Sequence, residues 1–532
     1  MQHRRNRPPR RLDAPLRTWT AHAALLAAAF AFHPARATPP ALAGLDGYVH
    51  GAMAQWQVPG LAVAVVKDGQ VVFARGYGVR ELGKRGSVDA DTLFDIGSNT
   101  KAFTAAALGT LVAAGKLKWD DRVADHVPGF RLESPYVTQE ITLRDLLSHR
   151  SGYCDPFAMW YFSDDTTANV IERLRYQQPS YGFRAHFCYD NAMYLLASTF
   201  VPAVTGTGWN SYLTTHLLAP LDMTRTVSTA AAVAAAADVA SPHGEVDGKL
   251  EVIEPYWPNN MDVFAAVGGI NSSVNDMSHW LIMLLAHGRY QGRTVLEPSI
   301  IEAMETPQML IEKDSDLAGW LRTQTPDTRF YAYGLGFFLQ DYAGHQLVWH
   351  AGDIDGMASA LALVPDEHLG VVVLSNMNQN RAPEGVVFEV LQDYLGLAHR
   401  DVSRALYAFL RKEKAQSDAT TRKLAAARRP GTRPPLPLAG YAGSYSDPYY
   451  GSASVSDESG HLVLRLGNPM FVGDLEHWNG DTFHVRWRYR FYDDAYVTFD
   501  VDALGEPSRL SLVETSAHYE RNSRPKPSTS GK

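Results

Sequence analysis

Between Asn99 and about Ala114 the chain is rich in alanine and leucine and apolar throughout, so a helix over this stretch has to be buried at the centre of the fold. An extended run leads into it through Asp95-Ile96-Gly97-Ser98-Asn99-Thr100-Lys101-Ala102-Phe103. Ser98 falls where an N-cap belongs, and Lys101, three residues on, shares its face of the first turn. Serine is a poor nucleophile until a neighbour takes its proton, and an amine beside the hydroxyl can do that or can hold another base deprotonated. The free N–H groups at the start of the helix favour negative charge developing there. Both features point to acyl transfer with Ser98 as nucleophile. Ser-x-x-Lys alone is a weak signal, since a capping serine followed by a solvated lysine has the same spelling. The chain carries a second copy, Ser523-Arg524-Pro525-Lys526, in a Pro/Ser-rich tail where Pro525 opposes the helical turn.

At 532 residues the chain is long for one domain, and its apolar and charged fractions are those of a soluble globular protein, so two domains are expected. Residues 1–37 read as a signal peptide: an arginine-rich leader, an apolar run from Ala21 to Phe32, then Ala35-Arg36-Ala37. Nothing later reads as a membrane span. The leader holds seven Arg and one Asp, so its removal takes the formal charge from −8 to −14, which argues against a nucleic-acid partner. An exported chain, periplasmic or secreted, places Cys154 and Cys188 in an oxidising compartment. There they either form one disulfide or sit as two small buried apolar residues.

Leu42, Leu45, Val49, Met53 and Trp56 recur at helical spacing, ended by Pro59-Gly60. Leu61–Val66, Asp68-Gly69 and Val71–Ala74 then read as a tight hairpin. Thr142–His149 reads as a short capped helix closed by Arg150-Ser151-Gly152, with His149 either a base or, more ordinarily, a residue that caps or packs. A loop-rich region follows with Trp160-Tyr161-Phe162. Phe187-Cys188-Tyr189-Asp190-Asn191 then opens an apolar helix through Phe200, and Tyr189 is either a core tyrosine or a phenol whose pKa falls beside a lysine ammonium.

Trp257-Pro258-Asn259-Asn260, which either lines a pocket or only packs, precedes Gly268-Gly269 and an amphipathic helix through Leu285. Four strand-like runs come next, Tyr333–Phe338, Leu347–Trp349, Ala358–Val364 and Gly370–Leu374, and suggest an antiparallel sheet completed late in the chain. His350-Ala351-Gly352-Asp353 follows the second of them, where small residues let a substrate approach backbone N–H groups. After a charged helical stretch and the linker Arg429–Pro435, residues 439–522 alternate in character, as short strands of a barrel or sandwich do.

With Ser98-x-x-Lys101, Tyr189-Asp190-Asn191 and His350-Ala351-Gly352 in that order, the chain resembles the penicillin-recognising serine hydrolases. Within them it is most similar to the group of class C β-lactamases, D-alanyl-D-alanine peptidases, D-aminopeptidases and related esterases. The resemblance covers about residues 42–397 and implies an α/β (α+β) β-lactamase/transpeptidase-like fold: an antiparallel sheet flanked by helices, plus a helical lobe, with the site in the cleft between them. It further implies that Ser98 forms the acyl-enzyme, that Lys101 and Tyr189 share the proton traffic, and that Asn191, His350 and Gly352 bind substrate. The backbone N–H groups of Ser98 and Asp353 would form the oxyanion hole. His350 stands where the β-lactamases of the group carry a lysine, a permanent cation suited to a substrate carboxylate, and this leans toward the peptidase, amidase and esterase members.

The expected organisation is a signal peptide (1–37), a hydrolase domain (38–400), a helical segment and linker (401–436), a small all-β domain resembling a lipocalin-like barrel (437–522) and a disordered tail (523–532). The expected function is an exported serine hydrolase cleaving an amide or ester of a small molecule or peptide, a D-residue peptide or a small ester, with no metal or cofactor. The alternatives are a true β-lactamase, and a protein that binds cell-wall fragments and acylates slowly or not at all. Oligomeric state is left open.

Overall fold

Leu61 to Val66 are apolar at every position, a pattern that a strand tolerates when both its faces are covered. In the computed structural model, which describes residues 39–154, 165–254, 257–313, 315–513 and 517–522, they form β1 (Gly60–Lys67). The expected leader, Trp160-Tyr161-Phe162 and the tail 523–532 lie outside the described residues, as do the side chains of Trp257-Pro258-Asn259-Asn260. β1 turns into β2 (Gln70–Gly78) at Asp68 and Gly69, whose φ values of 52° and 71° match the right-handed twist of a two-residue hairpin.

Three short pairs follow: β3 (Phe94–Asp95) with β6 (Asn271–Ser272), β4 (His243–Val246) with β5 (Lys249–Val252), and β7 (Arg289–Tyr290) with β8 (Arg293–Thr294). Then come β9 (Met309–Ile311), β10 (Tyr331–Tyr333), β11 (Phe338–Tyr342), β12 (His345–Ile354), β13 (Met357–Val364) and β14 (Leu369–Ser375). With β1 and β2 they make one antiparallel sheet in the order β2-β1-β14-β13-β12-β11-β10-β9. On one face Leu61, Val63, Val65, Val371 and Val373 pack under the helices Leu45–Trp56 and Ala382–Leu395. On the other, Ala62, Ala64, Val66, Val372 and Leu374 join the core shared with helix Val274–Leu285 and the helical lobe.

The apolar stretch forms the helix Thr100–Ala113, and eleven of its fourteen residues are buried. Phe103 stacks on Trp280 with ring centroids 4.0 Å apart, and burying each such ring contributes roughly 1.5–3 kcal/mol. Two sequence expectations are corrected here. Tyr333–Phe338 is not one strand: Gly336 has φ 88° and reverses the chain between β10 and β11. His350-Ala351-Gly352-Asp353 does not follow a strand but lies within β12, whose pairing with β13 runs from Val348 opposite Leu363 to Ile354 opposite Met357.

Helix Val402–Ala426 leads away from the sheet, with Val402, Ser403 and Leu406 as its buried anchors. Beyond it lies an eight-stranded closed barrel of β15 (Gly443–Asp447), β16 (Gly451–Glu458), β17 (His461–Leu466), β18 (Val472–Asn479), β19 (Thr482–Trp487), β20 (Ala495–Val501), β21 (Pro507–Leu512) and β22 (His518–Arg521). β22 returns to pair with β15, which removes the sheet edges. Val455, Leu464, Phe483, Val485, Phe499, Leu510 and Tyr519 are among the residues that fill it as a packed core.

A methyl group at Gly352 would stand 2.1 Å from the Ile96 carbonyl oxygen, against main chain that cannot step aside. Gly352→Ala is expected to destabilise the fold by about 1–3 kcal/mol or more in urea unfolding. Gly51→Ala, a control in the open interior of helix Leu45–Trp56, is expected to stabilise it by about 0.5–1 kcal/mol.

Candidate active site

The turn that carries Ser98 is built before any catalytic side chain is considered. Asp95 ends β3 opposite Asn271, and its Oδ1 accepts the Gly97 N–H at 2.8 Å, which fixes a residue held at φ 52°. The Ile96 N–H donates to Ile270 (2.9 Å), and Ser359 Oγ donates to the Ile96 carbonyl (2.7 Å) while accepting from Asn99 Nδ2 (2.8 Å). Gly97–Asn99 form a tight 3₁₀ turn that runs into the helix at Thr100. Ser98 is therefore not the N-cap expected from the sequence. Asn99 holds that position, with no side-chain capping bond, because the chain already turns helically one residue earlier.

Lys101 is fully buried on the first turn of the helix. Its Nζ donates to Ser98 Oγ at 2.9 Å and to the Val267 carbonyl at 3.1 Å, and it lies 4.9 Å from the centroid of the Tyr189 ring. Burial holds its pKa well below the ordinary lysine value, with the Asp190 carboxylate pulling the other way. Desolvation wins, which favours the neutral amine.

Tyr189 lies near enough to Ser98 for the serine side chain to act on its phenol, and with Lys101 beside both the structure brings Ser98, Lys101 and Tyr189 together. The phenol does not take the form the sequence suggested. Burial raises its pKa despite the influence of Ser98. Asp190 caps the helix Asn191–Ser198 by accepting the Ala192 N–H at 2.8 Å, and Asn191 is buried as the first residue of that helix. Cys154 and Cys188 are joined as a disulfide with Cα atoms 5.2 Å apart, which ties the residue before Tyr189 to the end of the loop after His149.

His149 packs rather than reacts. It is fully buried, its ring lies 4.2 Å from that of Tyr189, and its Nδ1 accepts the Asp190 N–H at 3.2 Å. Its pKa is pushed well below the usual range, first by burial and then by Lys101 and His350.

His350 is enclosed in a similar way. It is 2% exposed, its Nδ1–H donates to the Ala351 carbonyl at 2.6 Å, and its Nε2 accepts from the Tyr333 hydroxyl at 3.0 Å. Both nitrogens are thus engaged inside the protein. Burial, assisted by Lys101, pushes the pKa down to about 3, so the imidazole is neutral and offers a substrate no charge.

Gly352 likewise acts through its lack of a side chain, since it lets β12 lie against Ile96. On the same approach a Cβ at Gly97 would be 3.0 Å from the Asp353 nitrogen, so the backbones of Asp353 and the serine turn meet. The sequence reading missed what secures this strand end. Arg381 Nη2 pairs with Asp353 Oδ2 at 2.8 Å, Nη1 lies 3.5 Å from Glu384, and burial pushes the Glu384 carboxyl up to about 7. No local pattern announces an arginine that pairs 28 residues back. Asp95 was passed over too, although Asp-x-Gly is the spelling of an aspartate that bonds to the chain two residues on. Among the described residues no group of three or more His, Cys, Asp or Glu is placed to hold a metal ion, and no helix is long and apolar enough to cross a membrane.

A helix-flanked antiparallel sheet, with a serine and a buried lysine at the head of the central helix, defines the class: serine hydrolases of the β-lactamase fold. The chain belongs to the Beta-lactamase family, which it matches over residues 45–394, while residues 427–524 match a domain of unknown function, DUF3471. It is 30% identical over 439 residues to Unguisins hydrolase ungD of Aspergillus violaceofuscus, covering 76% of this chain and 74% of that one. It is 26% identical over 348 residues to Protein flp of Staphylococcus aureus strain MW2, 64% of each chain. Among solved structures, the octameric penicillin-binding protein homologue from Pyrococcus abyssi shares the fold with TM-score 0.58 and 23% identity, over 89% of this chain and 98% of that one. SurE does so with TM-score 0.52 and 19% identity, over 90% and 98%.

Burial pushes the Asp95 carboxyl up to about 8. A carboxyl raised above its unfolded value gives stability that is complete below the unfolded pKa and is lost as pH rises through the folded one, here between about 4 and about 8. Asp95→Asn keeps an acceptor for the Gly97 N–H without the ionisation. It is expected to flatten the fall in Tm between about pH 4 and about pH 8 seen by calorimetry in the parent protein.

Proposed function

We propose that this protein is an exported serine hydrolase that cleaves an amide or ester through an acyl-enzyme on Ser98, acting on a D-residue peptide or a small ester. The observation that carries the reading is a buried Lys101 side chain 2.9 Å from Ser98 Oγ, its pKa held well below the ordinary lysine value by desolvation. As Oγ attacks the substrate carbonyl, its proton passes to Lys101 and the carbonyl electrons move onto oxygen, toward the backbone N–H groups of Ser98 and Asp353. Asp190 then faces the ammonium that has formed. Tyr189, still protonated, gives its hydrogen to the departing amine or alkoxide and is reprotonated from Lys101. Water repeats the sequence on the acyl-enzyme, releasing the acid and restoring Ser98.

Three further observations support the finer parts of this reading. The arginine-rich leader and the joined Cys154 and Cys188 suit export. A relative at 30% identity bears the name hydrolase. The neutral, enclosed His350 removes the cation that a carboxylate-bearing β-lactam would seek, which favours the peptidase, amidase and esterase branch over a β-lactamase.

Intact-mass analysis with a fluorophosphonate is expected to show one adduct that is absent in Ser98→Ala. Absence of label on the parent protein would favour a non-catalytic binding protein, and rapid turnover of a penicillin in parallel would make it a β-lactamase. Lys101→Met, which keeps the bulk and loses the amine, is expected to lower kcat/KM on a small ester by about 10²–10⁴. In the parent protein kcat/KM is expected to rise with pH as Lys101 loses its proton, to level off well below the ordinary lysine value, and not to fall at pH 10, where Tyr189 still holds its proton.

A further inference from the structure

The barrel meets the sheet through the loop Arg488–Asp494, between β19 and β20. Tyr489 donates its hydroxyl hydrogen to the Glu254 carbonyl at 2.6 Å, and Arg490 pairs with Asp247 at 3.1 Å. Phe491 lies over Gly244 in β4, where a methyl group would stand 2.5 Å from the ring. The fourth contact differs from these in what it grips. The Tyr492 hydroxyl donates to Asp355 Oδ2 at 3.0 Å, and Asp355 belongs to the two-residue turn between β12 and β13, two residues past Asp353.

That turn is held from several directions. Gly356 has φ 80° and stands so close to Pro242 that a Cβ would come within 2.2 Å of the proline's own, while Arg381 holds the Asp353 carboxylate. Tyr492 is itself braced, its ring stacked on Phe471 at 4.6 Å and 20°, and Phe471 sits edge-on to Trp487 in the barrel. A fixed hydroxyl therefore reaches out of the barrel to the end of the strand whose backbone lies against the serine turn. The turn of a hairpin is where a strand frays first, and a backbone donor that must meet a developing oxyanion tolerates only a few tenths of an ångström of drift.

We propose that Tyr492 is a positioning residue for the hydrolase reaction: through Asp355 it sets the β12–β13 turn, and with it the Asp353 N–H of the oxyanion hole. The barrel is on this account part of the catalytic apparatus. The inference rests on the serine-hydrolase reading above.

The test uses the full chain with Tyr492→Phe, which removes one oxygen and leaves the ring on Phe471. The barrel stays attached through Tyr489, Arg490 and Phe491, and through Arg173, which packs against Gly451 on the side of the helical lobe. Four quantities are read: the rate of fluorophosphonate labelling at Ser98, kcat and KM on a small activated ester, and Tm. The expected result is labelling and kcat about three- to tenfold lower, with KM and Tm unchanged. Asp355→Ala is expected to show the same loss, and the double variant no more than either single one.

A Tyr492→Phe protein that labels at the parent rate overturns the proposal, as does an effect confined to KM or to Tm, or losses that add in the double variant. Parent protein that takes no label at all overturns the hydrolase reading and this inference with it, whereas normal parent labelling with an unaffected variant overturns this inference alone.

Discussion

Main chain meets main chain around Ser98, and the closeness of that approach is the constraint on which the rest of the site depends. Gly352 brings β12 against Ile96, Gly336 sets the β10–β11 turn against Ala102, where a Cβ would be 2.7 Å from its Cα, and Gly268 closes on Gly97 from the third side. Gly352 and Gly336 need the absence of a side chain, Gly268 stands in ordinary van der Waals contact, and Gly97 and Gly336 also adopt a positive φ. The serine is thus positioned by backbone packing that leaves no room for drift. The polar bonds of Asp95, Asn99 and Ser359 then fix the orientation of a turn whose place is already decided.

The same enclosure sets the charge state of the site. Excluding water penalises every ionised form, and the groups around Ser98 respond together: Lys101, His149 and His350 are driven toward their neutral bases, and Tyr189, Tyr194 and Tyr333 toward their neutral acids. A base and an acid are left side by side without an ion pair that would have to be broken first. The protonated lysine that forms during attack would be costly in such a place were it alone. Asp190, which raises the Lys101 pKa, stabilises that ammonium and not the resting amine. In the reaction proposed above, the buried aspartate would therefore act on the charged stage, where its contribution lowers the barrier.

How much of this was legible in the chain depended on the range of the interaction. The apolar helix, the Asp68-Gly69 hairpin and the spacing of Ser98 and Lys101 are local, and each follows from periodicity or turn chemistry. The strand boundaries around Gly336 and Gly352 were misplaced, because a glycine that ends a strand and one that lets a strand continue past a neighbour look identical in sequence. Arg381 with Asp353, Ser359 with Ile96 and Tyr492 with Asp355 join residues 28, 263 and 137 positions apart, and only the fold shows them. Protonation states failed for a related reason. Tyr189 was weighed against a lysine cation, but burial, which no short motif encodes, raises the phenol's pKa and lowers the lysine's.

His350 shows how one such residue bears on substrate choice. Its ring is surrounded by Tyr333, Phe338 and Tyr189, with centroids 5.8, 5.0 and 6.4 Å away, and its two nitrogens are taken up by a hydroxyl and a carbonyl. A lysine there would have to hold an unpaired ammonium among aromatic rings, a cost of several kcal/mol unless it lost its proton or reached water. Histidine instead fits the enclosure as a neutral donor and acceptor, braces Tyr333, and leaves the end of β12 without a cation of its own. The nearby Arg381 is already paired with Asp353. On the proposed function, an anionic substrate would have to compete with that pair, whereas an uncharged peptide or ester would need only the backbone of β12, which Gly352 holds in place against the serine turn.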